Sequence, residues 1–84
     1  MSSPPVQVYV GGIGRNIDDR HIRDLYTEYG TVLDVVMKNR YAFVEFDCMK
    51  TAQAAIAATH GITFHGHRLI VEEPSKFNTQ YSKS

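Results

Sequence analysis

The sequence predicts an α+β fold in the order β-α-β-β-α-β, with a four-stranded antiparallel sheet. Three observations predict it. Residues 6–11 and 39–46 alternate with the period of two that half-buried strands show, and residues 32–37 and 68–72 are short, mainly apolar runs that also fit strands. Two other segments repeat apolar residues at the spacing of one helix face. The two middle strands are separated only by Lys38-Asn39-Arg40, which favours an antiparallel hairpin.

Size and composition limit the chain to one small domain. It has 84 residues, and its hydrophobic fraction of 43% is normal for a chain with a packed core. We expect neither a membrane span nor a secretion leader, because no segment has the required apolar length or pattern. The single cysteine, Cys48, excludes an internal disulfide and falls short of a zinc pattern, so a reducing intracellular setting and no cofactor are expected.

The first strand follows a flexible lead. Residues 1–5 contain a Ser-Ser-Pro-Pro run that does not fit a sheet interior. Residues 6–11 then alternate three valines with Gln7 and Tyr9, which predicts a strand.

A loop over residues 12–17 leads to the first helix. Asp18 is a favourable N-cap, and Asp19 adds negative charge to the first turn. We expect Gly30 to end the helix at the C′ position. The predicted apolar stripe consists of Ile22, Leu25, Tyr26 and Tyr29.

The second half of the chain repeats this pattern. Strands are predicted at 32–37 and 40–46, and a helix at 49–59 with a weak cap from Asp47 or Cys48. A short strand at 62–64 turns at His65-Gly66-His67 into the last strand. That strand spans 68–72 with Leu69 and Val71 inward, and Pro74 stops it. The stripe of the second helix consists of Ala52, Ala55, Ile56 and Thr59. This order matches the ferredoxin-like split βαβ arrangement, with both helices on one face.

The most informative segment is 39–46, Asn-Arg-Tyr-Ala-Phe-Val-Glu-Phe. Period two places Tyr41 and Phe43 on one face of a strand and the smaller or apolar residues on the other. If the second face builds the core, two rings remain in contact with solvent. Exposed rings two residues apart form a platform on which bases stack.

This octamer and the segment Val8-Tyr9-Val10-Gly11-Gly12-Ile13 resemble the paired RNP motifs of the RNA recognition motif (RRM) family. The long motif reads [K/R]-G-[F/Y]-[G/A]-[F/Y]-V-x-[F/Y]. Its first two positions differ here: Asn39 replaces the basic residue that contacts phosphate, and Arg40 replaces glycine. Arg40 or Lys38 would then supply that contact. The matching positions are Tyr41, Ala42, Phe43, Val44 and Phe46.

The resemblance covers residues 6–75 and implies a strand order of 4-1-3-2. It thereby brings Tyr9, Tyr41 and Phe43 together on the helix-free face, where Tyr9 and Phe43 would each stack on a base and Tyr41 would contact ribose. The strings Tyr-Ala-Phe-Val-Glu-Phe and Leu69-Ile70-Val71-Glu72 resemble the first RRM of serine/arginine-rich (SR) splicing and mRNA-export factors. The implied function is binding of single-stranded RNA in nuclear pre-mRNA splicing, mRNA processing or export, with possible shuttling to the cytoplasm. The implied partners are RNA and other mRNA-processing proteins, and a monomer is expected.

The outward positions of the strands are the candidates for base selection, and their carboxylates suit the amino groups of bases. They are Gln7, Asp34, Val36, Glu45, Ile70 and Glu72. Cations are expected at the rim, where they steer the RNA backbone: Arg15, Lys38, Arg40, Arg68 and Lys76. Residues 76–84 form either a tail that contacts RNA through Phe77 and Tyr81 or a linker.

Other functions remain as alternatives. The same sheet face serves protein–protein interaction if no RNA binds. An acylphosphatase shares the element order, but Gly14-Arg15-Asn16 lacks the accompanying pattern, so no enzymatic activity is expected. His65 and His67 are interpreted as turn residues rather than metal ligands, and His21 and His60 are expected to face solvent. The net charge of zero disfavours non-specific coating of nucleic acid.

Overall fold

The computed structural model describes residues 5–73, so the predicted strand stop at Pro74 and the expected tail at 76–84 lie outside it. The predicted elements are present, but the predicted last strand is divided into two short strands. No helix in this range is long and apolar enough to cross a membrane. In chain order the elements are β1 (Val6–Gly11), α1 (Asp19–Thr27), β2 (Val32–Met37), β3 (Tyr41–Phe46), α2 (Met49–Thr59), β4 (Thr63–Phe64), β5 (His67–Arg68) and β6 (Ile70–Glu72).

The sheet has the predicted topology. Four antiparallel strands lie in the order β2-β3-β1-β6, and β4 pairs with β5 in a separate two-stranded ribbon. With β6 as the fourth strand, the predicted order of 4-1-3-2 is confirmed. β1 and β3 are the central neighbours, and their ladder pairs Tyr9 with Phe43 and Gly11 with Tyr41.

The core lies between the sheet and the two helices. The inward residues of the central strands are fully buried, because each has a neighbouring strand on both sides and a helix over its face. Ile22 and Tyr26 from α1, and Ala52 and Ala55 from α2, complete this layer as the stripes predicted. The buried inward strand residues are Val8, Val10, Ala42, Val44 and Phe46.

One polar pair is buried inside this core. The Tyr26 hydroxyl lies 2.9 Å from Thr59 Oγ1, and Thr59 Oγ1 donates to the Ala55 carbonyl oxygen at 2.7 Å. Tyr26 therefore donates to Thr59, so both hydroxyl groups have a partner. Burial raises the pKa of Tyr26 to about 12, because the phenolate is poorly solvated there.

The two histidines expected to face solvent, His21 and His60, are partly exposed and exposed respectively, and each also accepts a hydrogen bond. At the start of α1, Asp18 accepts from the N–H groups of Arg20 and His21, and His21 Nδ1 accepts from the Asp18 N–H at 3.0 Å. The His21 N–H lowers the pKa of Asp18. At the end of α2, His60 Nδ1 accepts from the Val71 N–H at 3.1 Å. Each histidine nitrogen therefore supplies an acceptor for a backbone N–H group that has no backbone acceptor at that point.

The last strand is shorter than the predicted 68–72. His67 and Arg68 pair back onto Phe64 and Thr63 through a two-residue turn, His65-Gly66. Both turn residues have positive φ, 52° and 83°, as a type I′ turn requires. The Leu69 N–H then donates to the Ile62 carbonyl at 2.9 Å, so pairing with β1 starts only at Ile70.

The first helix also ends earlier than predicted. Its last residue is Thr27, so Gly30 lies three positions beyond the helix rather than at C′. A methyl group at Gly30 would lie 2.4 Å from Thr51 Cγ2. The close approach of α2 therefore explains this glycine, in addition to its positive φ of 157°.

The Tyr26–Thr59 pair provides a test of the core. We expect Tyr26→Phe to cost about 1 kcal/mol, and Thr59→Val about 1–3 kcal/mol because it leaves a buried hydroxyl without a partner. The double variant should lose less than the sum of the two, as measured by urea denaturation. Strictly additive losses would contradict a direct Tyr26–Thr59 hydrogen bond.

Candidate nucleic-acid interface

Three aromatic side chains meet on the sheet face opposite the helices. Tyr9 comes from β1, and Tyr41 and Phe43 come from β3. The ring centroids lie 5.7 Å apart for Tyr9–Tyr41, 6.0 Å for Tyr9–Phe43 and 5.7 Å for Tyr41–Phe43. All three side chains are partly exposed. We call these three residues the ring cluster.

Burial of the core determines which face carries the ring cluster. Ala42 and Val44 alternate with Tyr41 and Phe43 along β3, and both are fully buried against the helices. A slip of the register by one residue would bury the rings and expose the core. The strand pairing that closes the core therefore also places the rings toward solvent.

Gly11 allows the Tyr9 ring to take its position. A methyl group at Gly11 would lie 2.6 Å from the Tyr9 hydroxyl oxygen and 2.8 Å from Cε2, which is too close for real contacts. The Tyr9 ring therefore lies over the Gly11 backbone, on the row of the ladder that holds Tyr41. This role of Gly11 was not predicted from the sequence. Its signal was a glycine two positions after an aromatic residue, on the same face of the strand.

Two aliphatic side chains border the ring cluster. Val36 of β2 pairs with Phe43, and Ile70 of β6 pairs with Gly11. Val36 is 37% exposed and Ile70 is 39% exposed. The apolar surface therefore extends from the rings to both edge strands.

Hydrogen-bond acceptors lie next to this apolar surface. Glu45 of β3 pairs with Gln7 on one side and with Asp34 on the other, and Glu72 pairs with Tyr9. Asp34 Oδ1 accepts from the Val35 N–H at 2.9 Å, beside the irregularity in β2. Asp34 and Glu45 are like charges directly opposite each other, which is unfavourable without a ligand.

The structure brings together only some of the cations predicted at the rim. Arg15, Lys38 and Arg40 line one cavity beside Tyr41, at the loop end of the sheet. Arg68 does not join them, since its guanidinium nitrogen lies 4.0 Å from the position of a Cβ on Gly61, near the end of α2. Lys76 and Phe77 lie outside the described residues.

The paired histidines connect the β4–β5 hairpin to the loop before α1. His67 Nε2 lies 3.1 Å from Asn16 Oδ1, and Asn16 Nδ2 donates to the His65 carbonyl at 3.4 Å. Among residues 5–73, no group of three or more His, Cys, Asp or Glu side chains is arranged to hold a metal ion. These contacts give His65 and His67 a structural role.

Comparison with known proteins agrees with this geometry. The family model described as "RNA recognition motif" matches residues 8–70, which is most of the chain. The chain therefore belongs to the RNA recognition motif family. That family is defined by recognition rather than by a reaction, which confirms the expectation that the chain is not an enzyme.

Two curated relatives are SR-type proteins. The chain is 34% identical over 71 residues to "Probable splicing factor, arginine/serine-rich 2" of Caenorhabditis elegans, covering 84% of this chain and 25% of that protein. It is 39% identical over 70 residues to "Serine/arginine-rich splicing factor SR34B" of Arabidopsis thaliana, covering 77% of this chain and 25% of that protein. The chain thus spans about a quarter of the length of these relatives, and the predicted likeness to an RRM of SR-type proteins is confirmed.

A solved structure has the same fold. The RRM domain of S. pombe Puf1 superposes with a TM-score of 0.74 at 26% identity, covering 79% of this chain and 92% of that chain. The sheet order and the two helices are therefore those of a known RRM.

The contact between Gly11 and Tyr9 can be tested directly. We expect Gly11→Ala to displace the Tyr9 ring, because the new methyl group occupies the space of that ring. The ring-current shifts on Tyr41 and Phe43 should change in NMR spectra while the amide shifts of α1 and α2 stay in place. Unchanged ring shifts would contradict the close packing of Tyr9 over Gly11.

Proposed function

We propose that this chain binds single-stranded RNA on the helix-free face of its sheet, with the ring cluster as the stacking platform. The observation that carries the proposal is the presence of three partly exposed rings within 6.0 Å of one another on an apolar face. Stacking of a base on an aromatic ring is worth about 1–3 kcal/mol by alanine substitution. Two or three such contacts make a site for a few nucleotides.

Each ring has a separate role in this proposal. Tyr9 and Phe43 carry one base each, since they come from neighbouring strands and lie opposite each other in the ladder. Tyr41 lies one ladder row away and contacts the ribose between nucleotides. Membership of the RNA recognition motif family supports this assignment.

The acceptors around the rings select among bases. Glu45 lies between Gln7 and Asp34, and a base amino group inserted there would relieve the repulsion between the two carboxylates. Glu72 offers a second acceptor beside Tyr9. Bases with exocyclic amino groups, namely adenine, cytosine and guanine, are therefore favoured over uracil.

The names of the relatives support a proposal for the host process. Both curated relatives carry the name of a splicing factor, so we propose a nuclear role in pre-mRNA splicing, with mRNA processing or export as related steps. Other mRNA-processing proteins would be further partners of the longer protein, and shuttling to the cytoplasm belongs to the same proposal. The domain itself would act as a monomer.

A protein partner is the second candidate for the same face. The observation that favours it is the pair of exposed aliphatic side chains beside the ring cluster, Val36 and Ile70. Apolar side chains that flank exposed rings are typical of a surface that another protein covers. In that case the domain would serve as an adaptor, and alanine substitution of the rings would leave RNA affinity unchanged.

Substitution of the rings distinguishes these functions. We expect Phe43→Ala and Tyr9→Ala each to weaken binding of a randomised RNA pool of about eight nucleotides at least tenfold, by loss of one stacked base. Fluorescence anisotropy measures the affinity, and thermal unfolding checks that each variant stays folded.

The matched control is Met49→Ala. Met49 is also an exposed apolar side chain, 44% exposed, but it lies on α2. Its substitution should leave RNA affinity unchanged. Equal affinity of the ring variants and this control would exclude the ring cluster as the RNA site.

A further inference from the structure

The strand β2 forms one outer edge of the four-stranded sheet. It pairs with β3 on one side and, within residues 5–73, with no strand on the other. Its sequence is Val-Leu-Asp-Val-Val-Met, so Asp34 is its only charged residue and it contains no proline. Leu33 is 48% exposed and Val36 is 37% exposed. An apolar outer strand of this kind is a template onto which another chain can pair.

The hairpin between β2 and β3 determines which backbone groups of β2 point to the open edge. The Lys38 N–H donates to the Tyr41 carbonyl at 2.8 Å, so the backbone groups of Lys38 face β3. In an antiparallel ladder, successive residues direct these groups alternately toward and away from the partner strand. Met37 and Val35, at odd distances from Lys38, therefore direct their N–H and C=O groups to the open edge.

The carboxylate of Asp34 covers one of these groups. Asp34 Oδ1 accepts from the Val35 N–H at 2.9 Å, and we call this hydrogen bond the edge cap. An added strand would need the same N–H group as a donor to its own carbonyl. The register between β2 and β3 also shifts between Val32 and Asp34, and such an irregularity further interrupts pairing at an edge.

The opposite edge of the sheet has a corresponding contact. β6 is the outer strand there, and its Val71 N–H donates to His60 Nδ1 at 3.1 Å. A side chain thus accepts from an N–H group of each outer strand. β6 has only three residues, which by itself limits pairing with another chain. β2 is therefore the edge at which a cap has the larger effect.

We propose that the edge cap closes β2 against antiparallel pairing with a second copy of this chain. A second copy fits this edge because Val35 and Met37 lie two positions apart. A two-fold axis beside Val36 would set Val35 of one copy opposite Met37 of the other, so that their outward N–H and C=O groups meet. The net charge of zero provides little repulsion between copies. The edge cap occupies the Val35 N–H in both copies and keeps the domain monomeric.

Sedimentation velocity of the domain without RNA tests this proposal. Asp34→Val removes the acceptor and leaves a residue that suits a strand. At concentrations up to about a millimolar, wild type should remain a single species, whereas the weight-average mass of Asp34→Val should rise toward about twice that value. Absence of association in Asp34→Val would overturn the proposal, as would a wild type that dimerises equally.

The matched control is Asp24→Val. Asp24 is an exposed aspartate on α1, so its substitution changes the net charge and the exposed apolar surface in the same way, away from the β2 edge. It should stay monomeric. Equal association of Asp24→Val would assign the effect to lost charge and contradict the edge cap.

A second variant of Asp34 separates the hydrogen bond from the charge. Asp34→Asn keeps a side-chain oxygen that accepts from the Val35 N–H but carries no charge. We expect it to stay monomeric under the conditions in which Asp34→Val associates. Association of both variants to the same extent would show that the hydrogen bond does not close the edge.

Hydrogen exchange measures the edge cap in the wild-type monomer, whether or not the variants fold. The amides of Val35 and Met37 both point to the open edge, but only that of Val35 has the Asp34 carboxylate as its acceptor. NMR should therefore show the Val35 amide exchanging about fivefold more slowly than that of Met37. Equal exchange at the two positions would contradict the edge cap. None of these measurements contains RNA, so their outcome is independent of the proposed RNA binding.

Discussion

The antiparallel pairing of β1 with β3 is the constraint on which the other features depend. This ladder joins the two central strands over six residue pairs, from Val6 opposite Phe46 to Gly11 opposite Tyr41. The register of this ladder decides both which residues enter the core and which residues face solvent, because alternate residues of a strand point to opposite faces. The same alignment that buries Val44 against the helices holds Phe43 beside Tyr9 on the other face. This strand pairing therefore determines both the packing of the core and the geometry of the candidate site.

The face away from the helices divides into regions with different chemistry. Rings and aliphatic side chains occupy its middle, acceptors such as Glu45 lie toward one end, and the cations Arg15, Lys38 and Arg40 lie toward the other. This division reconciles a net charge of zero with binding to a polyanion. Positive charge is concentrated at one end of this face, and in the proposed function stacking and acceptor contacts would supply the remainder of the interaction.

Much of this arrangement was predictable from the sequence, because alternation at period two and helix-face spacing determine which side chains enter the core. The limits of β6 were not predictable. Arg68 could pair either with β1 or with the hairpin strand β4, and only the assembled fold decides between these two partners. The hydrogen bond from Val71 to His60 depends on residues 11 positions apart. The positive φ of Arg40 depends on the turn type, which a non-glycine residue gives no reason to expect. Contacts from residues 76–84 stay predictions.

The most direct test of the account is an NMR titration of the domain with a pool of short randomised RNAs, following amide and ring signals residue by residue. The account predicts that the shifts concentrate at Tyr9, Tyr41 and Phe43 and extend to Arg15 and Arg40, while the exposed faces of α1 and α2 stay unchanged. Absence of shifts at RNA concentrations of about a millimolar, the weak end of specific recognition, would contradict it, as would shifts confined to the helices.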